Sequence, residues 1–267
     1  MQNVFKHYRA LCLCWGLACT LLLLPLAAAA WGAQGHRIVG EMAEELLDKK
    51  AQQKINAVLG GASIAMVSNW GDEVRSDANY SHTSKWHYTN LDSGLSRAAF
   101  DAVALQQTNG ECIYRIVALA SHLQQNPNDT AMLKMFIHLV EDMHCPMHLG
   151  RAADRGANSI RIKWFGRNTN LHSLWDSELI DGLKLSYTEY AAHLTRVNRL
   201  QKIAYDGQSA TVLNWAWQVY GKTQQVYASQ GATGKHYEYI YAYKPLWESS
   251  LVKGAEHLAA LLNYIYK

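Results

Sequence analysis

Proline is scarce in this chain, with four in 267 residues. So few breaks favour long helices and exclude proline-rich spacers. No internal repeat, low-complexity tract or long linker is present either, which argues against a solenoid or tethered domains. Excess charge of one sign is also missing. The formal net charge is +3, and residues 1–30 hold two basic and no acidic residues, so the remainder carries +1. A near-neutral surface argues against a broad basic groove for duplex DNA. It leaves room for a small site that grips phosphate through metal ions. Cysteine is sparse as well. Of five, Cys12, Cys14 and Cys19 fall in the first thirty residues, leaving Cys112 and Cys145.

Those thirty residues read as a signal peptide. Lys6 and Arg9 form the positive start, Leu11 to Leu26 the apolar core, and Ala28-x-Ala30 the small residues before a cut. An uncleaved anchor is disfavoured, because the apolar run is marginal for a span of about 20 residues and Pro25 interrupts it. Lipid modification at Cys19 is disfavoured because it strands Leu21 to Leu26 on the product. The expectation is an exported chain, periplasmic or secreted, with no stable membrane association after cleavage. In such a chain Cys112 and Cys145 form a disulfide or remain two buried thiols, and spacing leaves both open.

Residues 31–267 have a usual size for one domain with a substantial core. Helical periodicity dominates them. Ile38, Met42, Leu46 and Val39, Ala43, Leu47 make one apolar stripe, in a segment ended by Gly60-Gly61. Met132, Met135, Phe136, Leu139, Val140 and Met143 make a second, stopped near Pro146. Leu171 to Ile180, Val212 to Tyr227 and Leu246 to Tyr266 read as further helices, and Ser159 to Phe165 as a short strand before a Gly166 turn. The expected fold is all-α, a mostly helical single domain with a short strand or hairpin.

Metal-donor side chains recur along this scaffold. Cleavage before Trp31 leaves a free amine five residues ahead of His36, in Trp31-Gly32-Ala33-Gln34-Gly35-His36. Asp72 and His87 follow, then His138 and Asp142, His148 beyond Cys145-Pro146, and His172 and Asp176. Both His–Asp pairs are four apart, so each shares a helical face. On the wheel His138 and Asp142 flank the apolar stripe, while Lys134 and Glu141 point away; His144 reads as helix surface. One such pair is ordinary helix packing. Two pairs, a histidine past a helix stop and a terminal Trp31/His36 pair form the nitrogen and carboxylate set that zinc takes.

In order, Trp-Gly-x-x-Gly-His, Trp-x-Asp-x-x-Arg, Trp-His-Tyr, His-x-x-x-Asp with a later Pro-x-His, and His-Ser-x-Trp-Asp resemble the zinc-dependent single-strand-specific nucleases of the S1/P1 family. The resemblance runs from Trp31 nearly to the C-terminus. It implies three zinc ions: one on Asp72, His87, His138 and Asp142; one on His148, His172 and Asp176; one on the Trp31 amine and carbonyl, His36 and Asp142. Asp142 then bridges two ions. It implies a water, activated by the ions and oriented by Asp72, that attacks phosphorus, expels the 3′ oxygen and leaves a 5′ phosphate. Arg75 is similar to the family arginine that offsets charge on phosphorus. Tyr88 stands where an aromatic ring stacks on a base, which requires an unpaired base. Asn90 stands where related enzymes can carry Asp. Asn158 resembles the Asn of a Gly-Gly-Asn substrate motif, with Ala157 in place of a glycine. The implied substrates are single-stranded DNA and RNA and 3′-nucleotides, and no protein partner is indicated.

Zinc phospholipase C is the nearest rival, with a similar helical fold, N-terminal Trp and metal set. Its first histidine lies much further from that Trp than His36 does, and its final ligand is Glu where this chain has Asp176. A non-catalytic zinc-binding protein is a second rival, but metal storage needs none of Arg75, Tyr88 and Asn158.

Overall fold

The computed structural model describes residues 31–267. The signal peptide expected over residues 1–30 lies outside the described residues. Helices account for most of the rest: α1 (Ala33–Glu45), α2 (Lys49–Val58), α3 (Ile64–Val67), α4 (Trp70–Glu73), α5 (Arg97–Val103), α6 (Cys112–Gln125) and α7 (Thr130–His144). After the hairpin β1 (Arg161–Trp164) and β2 (Arg167–Asn170) come α8 (Leu171–Ser173), a π-helical turn (Leu174–Glu178) and α9 (Leu179–Asp181). Helices α10 (Tyr187–Asn198), α11 (Ser209–Ala228) and α12 (His236–Ile265) complete the chain.

Helix α7 is the hub. Asp129 caps it by accepting from the Met132 amide, supplying one of the partners a helix start lacks. Its end is set by Pro146, which forces Cys145 out of helical geometry, to φ −77° and ψ 117°. Every residue from Met135 to His144 is buried. Helix α12 packs on α7 and on α1, α6 packs on α7, and α1 also packs against α3 and α10. A helix buried all round is strongly apolar in most proteins. Here its polar residues are the exceptions that mark the site. Emptying the core at Phe136, which is fully buried, would cost about 3–5 kcal/mol by the usual cavity penalty.

The structure departs from the sequence expectations at element ends. The first apolar stripe belongs to α1, and the chain breaks at Leu46 before α2 begins; Gly60 and Gly61, at φ 64° and 86°, end α2. Helix α12 starts ten residues earlier than Leu246 and runs through Pro245. The strand expected over Ser159 to Phe165 shortens to β1 and pairs with β2 in the register Arg161↔Asn170, Trp164↔Arg167. Its turn uses Phe165 and Gly166 at φ 44° and 80°, the two left-handed residues that match hairpin twist. Helices α3, α5, α6 and α10 are not anticipated by the sequence pattern. Among the described residues, no helix is long and apolar enough to cross a membrane.

Candidate metal centre

Each donor is placed by a local feature of the chain. Helix α7 carries His138 and Asp142 one turn apart, and the 3-10 turn Pro146–Leu149 folds His148 back toward its end. Asn170 caps α8 by accepting from the Ser173 amide at 2.8 Å, which sets His172. Asp176 lies in the π-helical turn, an insertion common at functional sites. Two glycines permit the close approaches. A Cβ on Gly71 would collide with the His138 ring, and one on Gly32 with Ser177. Gly32 also donates its amide to the Asp176 carbonyl at 2.7 Å, docking the segment that begins at the buried Trp31 against the site.

The predicted donors converge. His87 Nδ1 lies 3.0 Å from His138 Nε2 and 3.1 Å from Asp142 Oδ2. His138 Nε2 is 3.2 Å from Asp142 Oδ2 and 3.8 Å from Asp72 Oδ1. Donors about 2.0–2.1 Å from a tetrahedral zinc stand about 3.3 Å apart, so His87, His138 and Asp142 have the spacing of ligands to one ion, with Asp72 somewhat further off. The other oxygen of Asp142, Oδ1, is 3.5 Å from His36 Nε2 and 3.5 Å from His148 Nδ1. One carboxylate therefore faces two groups of donors. His148 Nε2 is 3.7 Å from Asp176 Oδ1. Donor atoms of His36, His138 and Asp142, of Asp72, His87 and His138, and of Cys145, His148 and Asp176 each lie within 4.8 Å of one another. His172 stacks on His148 with ring centroids 5.3 Å apart but falls outside that last set.

The imidazoles are oriented for ligation. His138, His148 and His172 turn Nδ1 to the carbonyls of Ser68, His87 and Gly156, at 2.7, 2.6 and 2.7 Å. A donor bond from one ring nitrogen leaves the other with a free lone pair. His36 Nε2, His148 Nε2 and Asp142 Oδ1 are buried and have no hydrogen-bond partner. Orphaned buried polar atoms are costly, and a cation between them removes that cost. The donor set thus fits a metal cluster.

Electrostatics agree. Burial drives the His36 imidazole well below its usual value, and lowers His87 too. It also takes His172 down to about 3. Burial works against charge on His138 and His148, yet Asp142, together with Asp72 and the Ser68 carbonyl at His138, and with Asp176 and the His87 carbonyl at His148, outweighs it and pushes each up to about 9. Burial would raise Asp142, but His138 and His148 hold it well below the usual carboxylate range. Asp176 is pushed up to about 7 by burial. An ionised Asp142 among buried imidazoles is an arrangement that favours a bound cation.

A cavity of about 310 Å³ opens over the donors, lined by His87, His148 and His172 and rimmed by Arg75, Tyr88, Asn90 and Asn158. Arg75 Nη1 donates to Asp72 Oδ1 at 3.2 Å. Asn158 donates through Nδ2 to the Arg155 carbonyl at 2.9 Å, within a left-handed run in which Ala157 itself has φ 68°. The alanine therefore keeps the backbone that a glycine would provide.

This arrangement has relatives. The S1/P1 Nuclease family model matches residues 31–267. The chain belongs to the S1/P1 nuclease family. It is therefore a hydrolytic nuclease, a phosphodiesterase; nucleases of this family are metal dependent, and this chain holds clusters of His, Asp and Cys that could bind metal. Endonuclease 2 of Arabidopsis thaliana is 27% identical over 266 residues, covering 88% of this chain and 90% of that protein. Nuclease P1 of Penicillium citrinum is 26% identical, covering 88% and 98%. Nuclease S1 of Aspergillus oryzae is 24% identical, covering 91% and 97%.

Two expectations for this S1/P1 nuclease need correction, and one alternative left open is decided. Cys112 and Cys145 are free, buried thiols rather than a disulfide. Cys112 Sγ donates to the Leu139 carbonyl at 3.4 Å, and Cys145 Sγ to Asp176 Oδ1 at 3.7 Å. His144 is fully buried, not on the helix surface, because α12 covers that face; its Nε2 lies 2.7 Å from His257 Nδ1. Glu141 does not point away. It is fully buried, 2.6 Å from His36 Nδ1. The signal was present in the sequence: Glu141 is one turn past His138, so it lies beside the donor face.

Proposed function

We propose that this enzyme is an endonuclease specific for single-stranded DNA and RNA, leaving 5′-phosphate products and also acting as a 3′-nucleotidase. We further propose three zinc ions: on Asp72, His87, His138 and Asp142; on His148, His172 and Asp176; and on His36, Asp142 and the Trp31 amine and carbonyl. The chain is exported to the periplasm or beyond, and removal of residues 1–30 frees that amine, leaving 31–267 as one domain. When bound, zinc supplies Lewis acidity toward water and the scissile phosphate.

The protein's own residues do the rest. Asp72, mostly buried beside Arg75, orients the attacking water and accepts its proton. Arg75, held by Asp72, offsets the charge that grows on the phosphate oxygens as the 3′ oxygen leaves. Tyr88 offers a ring at the rim, and a base can lie on it only when it is out of a duplex. Asn90 contacts the base edge, and Asn158 helps position the substrate. The cavity volume, about 310 Å³, suits one nucleotide and no duplex.

The observation that carries this reading is the buried set of unpartnered donor atoms beneath a rim holding Arg75 and Tyr88. The test is to incubate the zinc-loaded protein with denatured DNA, RNA, duplex DNA and phosphatidylcholine, with and without chelator. Chelator-sensitive cleavage of the single-stranded nucleic acids alone is expected. Release of the lipid head group alone would make the site a phospholipase on the same scaffold.

A further inference from the structure

Three of the donor histidines rest their second nitrogen on backbone carbonyls, which substitution leaves in place. His36 differs. Its Nδ1 meets a side chain, Glu141 Oε2, at 2.6 Å, and both groups are fully buried. The other carboxylate oxygen, Oε1, accepts from the Ser68 hydroxyl at 2.7 Å. A carboxylate with no water around it is costly unless its oxygens are bonded, and here both are.

Glu141 itself is absent from every group of converging donors. It lies on the far side of the His36 ring, whose Nε2 is 3.5 Å from Asp142 Oδ1. Ser68 adds a second link. Its carbonyl accepts from His138 Nδ1 at 2.7 Å while its hydroxyl serves Glu141. One residue, at the end of α3, thus indexes both His138 and His36, and those rings stack at 4.2 Å with planes 17° apart.

We propose that Glu141 is a positioning residue that, braced by Ser68, keeps the His36 proton on Nδ1 and its ring plane fixed, so that Nε2 is a ready metal ligand. This rests on the metal reading of the site given above. A carboxylate behind a ligating imidazole fixes its tautomer and raises its basicity, and losing such a partner typically costs about 10- to 100-fold in metal affinity. The hold of the His36 corner on metal then depends on a side chain outside the ligand set.

The test compares wild type, Glu141→Ala, Glu141→Gln and Ser68→Ala, each loaded with zinc, exposed to graded chelator and assayed for zinc per chain by mass spectrometry. Glu141→Ala should surrender one ion at about 10- to 100-fold lower chelator strength, with the remaining ions released as in wild type. Glu141→Gln should retain that ion nearly as wild type does, because its amide oxygen accepts from His36 Nδ1 and its nitrogen reaches Ser68 Oγ. Ser68→Ala should fall between Glu141→Gln and Glu141→Ala. Melting temperature is measured alongside. A folded Glu141→Ala that melts earlier yet releases all its zinc like wild type would overturn the proposal. Should Glu141→Ala not fold, Ser68→Ala decides: earlier loss of one ion supports the role, and a wild-type release profile overturns it. A wild-type chain that takes up no zinc would instead refute the metal reading itself.

Discussion

Replacing Asp142 with asparagine perturbs the centre at its most shared point. Oδ2 lies 3.1 Å from His87 Nδ1 and 3.2 Å from His138 Nε2, while Oδ1 lies 3.5 Å from His36 Nε2. Asparagine keeps the shape but turns one oxygen into an NH₂ group that cannot ligate. Whichever way the amide is flipped, one side loses a donor, and both sides lose a negative charge. Losing even an orienting partner of a ligand costs about 10- to 100-fold, so losing a shared donor should cost more than about 100-fold in kcat. Asp176→Asn removes a donor from one group only and should cost less. The assay is cleavage of a denatured DNA substrate at saturating zinc, with zinc per chain measured on the same samples. Equal losses for the two variants, or an Asp142→Asn enzyme with full zinc and near-wild activity, would refute the bridging role.

Extending the mature terminus by one residue before Trp31 should block the amine, lose one zinc per chain and lower activity; full zinc and activity would remove Trp31 from the ligand set. Tyr88→Ala should raise KM for a short single-stranded oligonucleotide roughly 5- to 150-fold, the equivalent of the ~1–3 kcal/mol of one base stack, with kcat less affected. Tyr88→Phe should stay near wild type, and an unchanged KM in Tyr88→Ala would end the stacking role. His257 is buried, stacked on Trp215 at 4.0 Å, and burial, then His144, holds its pKa well below 6.5. The neutral form is thus favoured by folding, so the contribution is complete above pH 6.5 and shrinks as pH falls below it. Urea unfolding across that range should show a shallower pH slope in His257→Gln than in wild type; identical slopes would contradict the assignment.

The residues that converge were legible partly from type and spacing, while Asp72 and His87 entered only through the resemblance to the S1/P1 family. His138 and Asp142 announce a shared helical face, and Pro146 announces the turn that returns His148. What the wheel could not supply was the depth of α7. Glu141 and His144 read as outward-facing because a surface helix has an outside, whereas α7 is covered by α12 on one side and α6 on another. The break between α1 and α2 was hidden because the apolar stripe continues through Leu46 and Leu47 up to it. The first ten residues of α12 were hidden because Pro245 interrupts the helical pattern. A proline lacks one amide and crowds the preceding turn, yet here the helix continues on its N-terminal side from His236. The thiols were undecidable from spacing alone, since nothing in it brings Cys112 to Cys145.

The central claim is a metal cluster organised by Asp142, and anomalous diffraction at the zinc edge from crystals of the zinc-loaded chain beginning at Trp31 tests it most directly. Three peaks are predicted: one among Asp72, His87, His138 and Asp142, one beside His148, His172 and Asp176, and one between Trp31, His36 and Asp142. A single peak, or peaks that leave Asp142 touching fewer than two ions, would contradict the account.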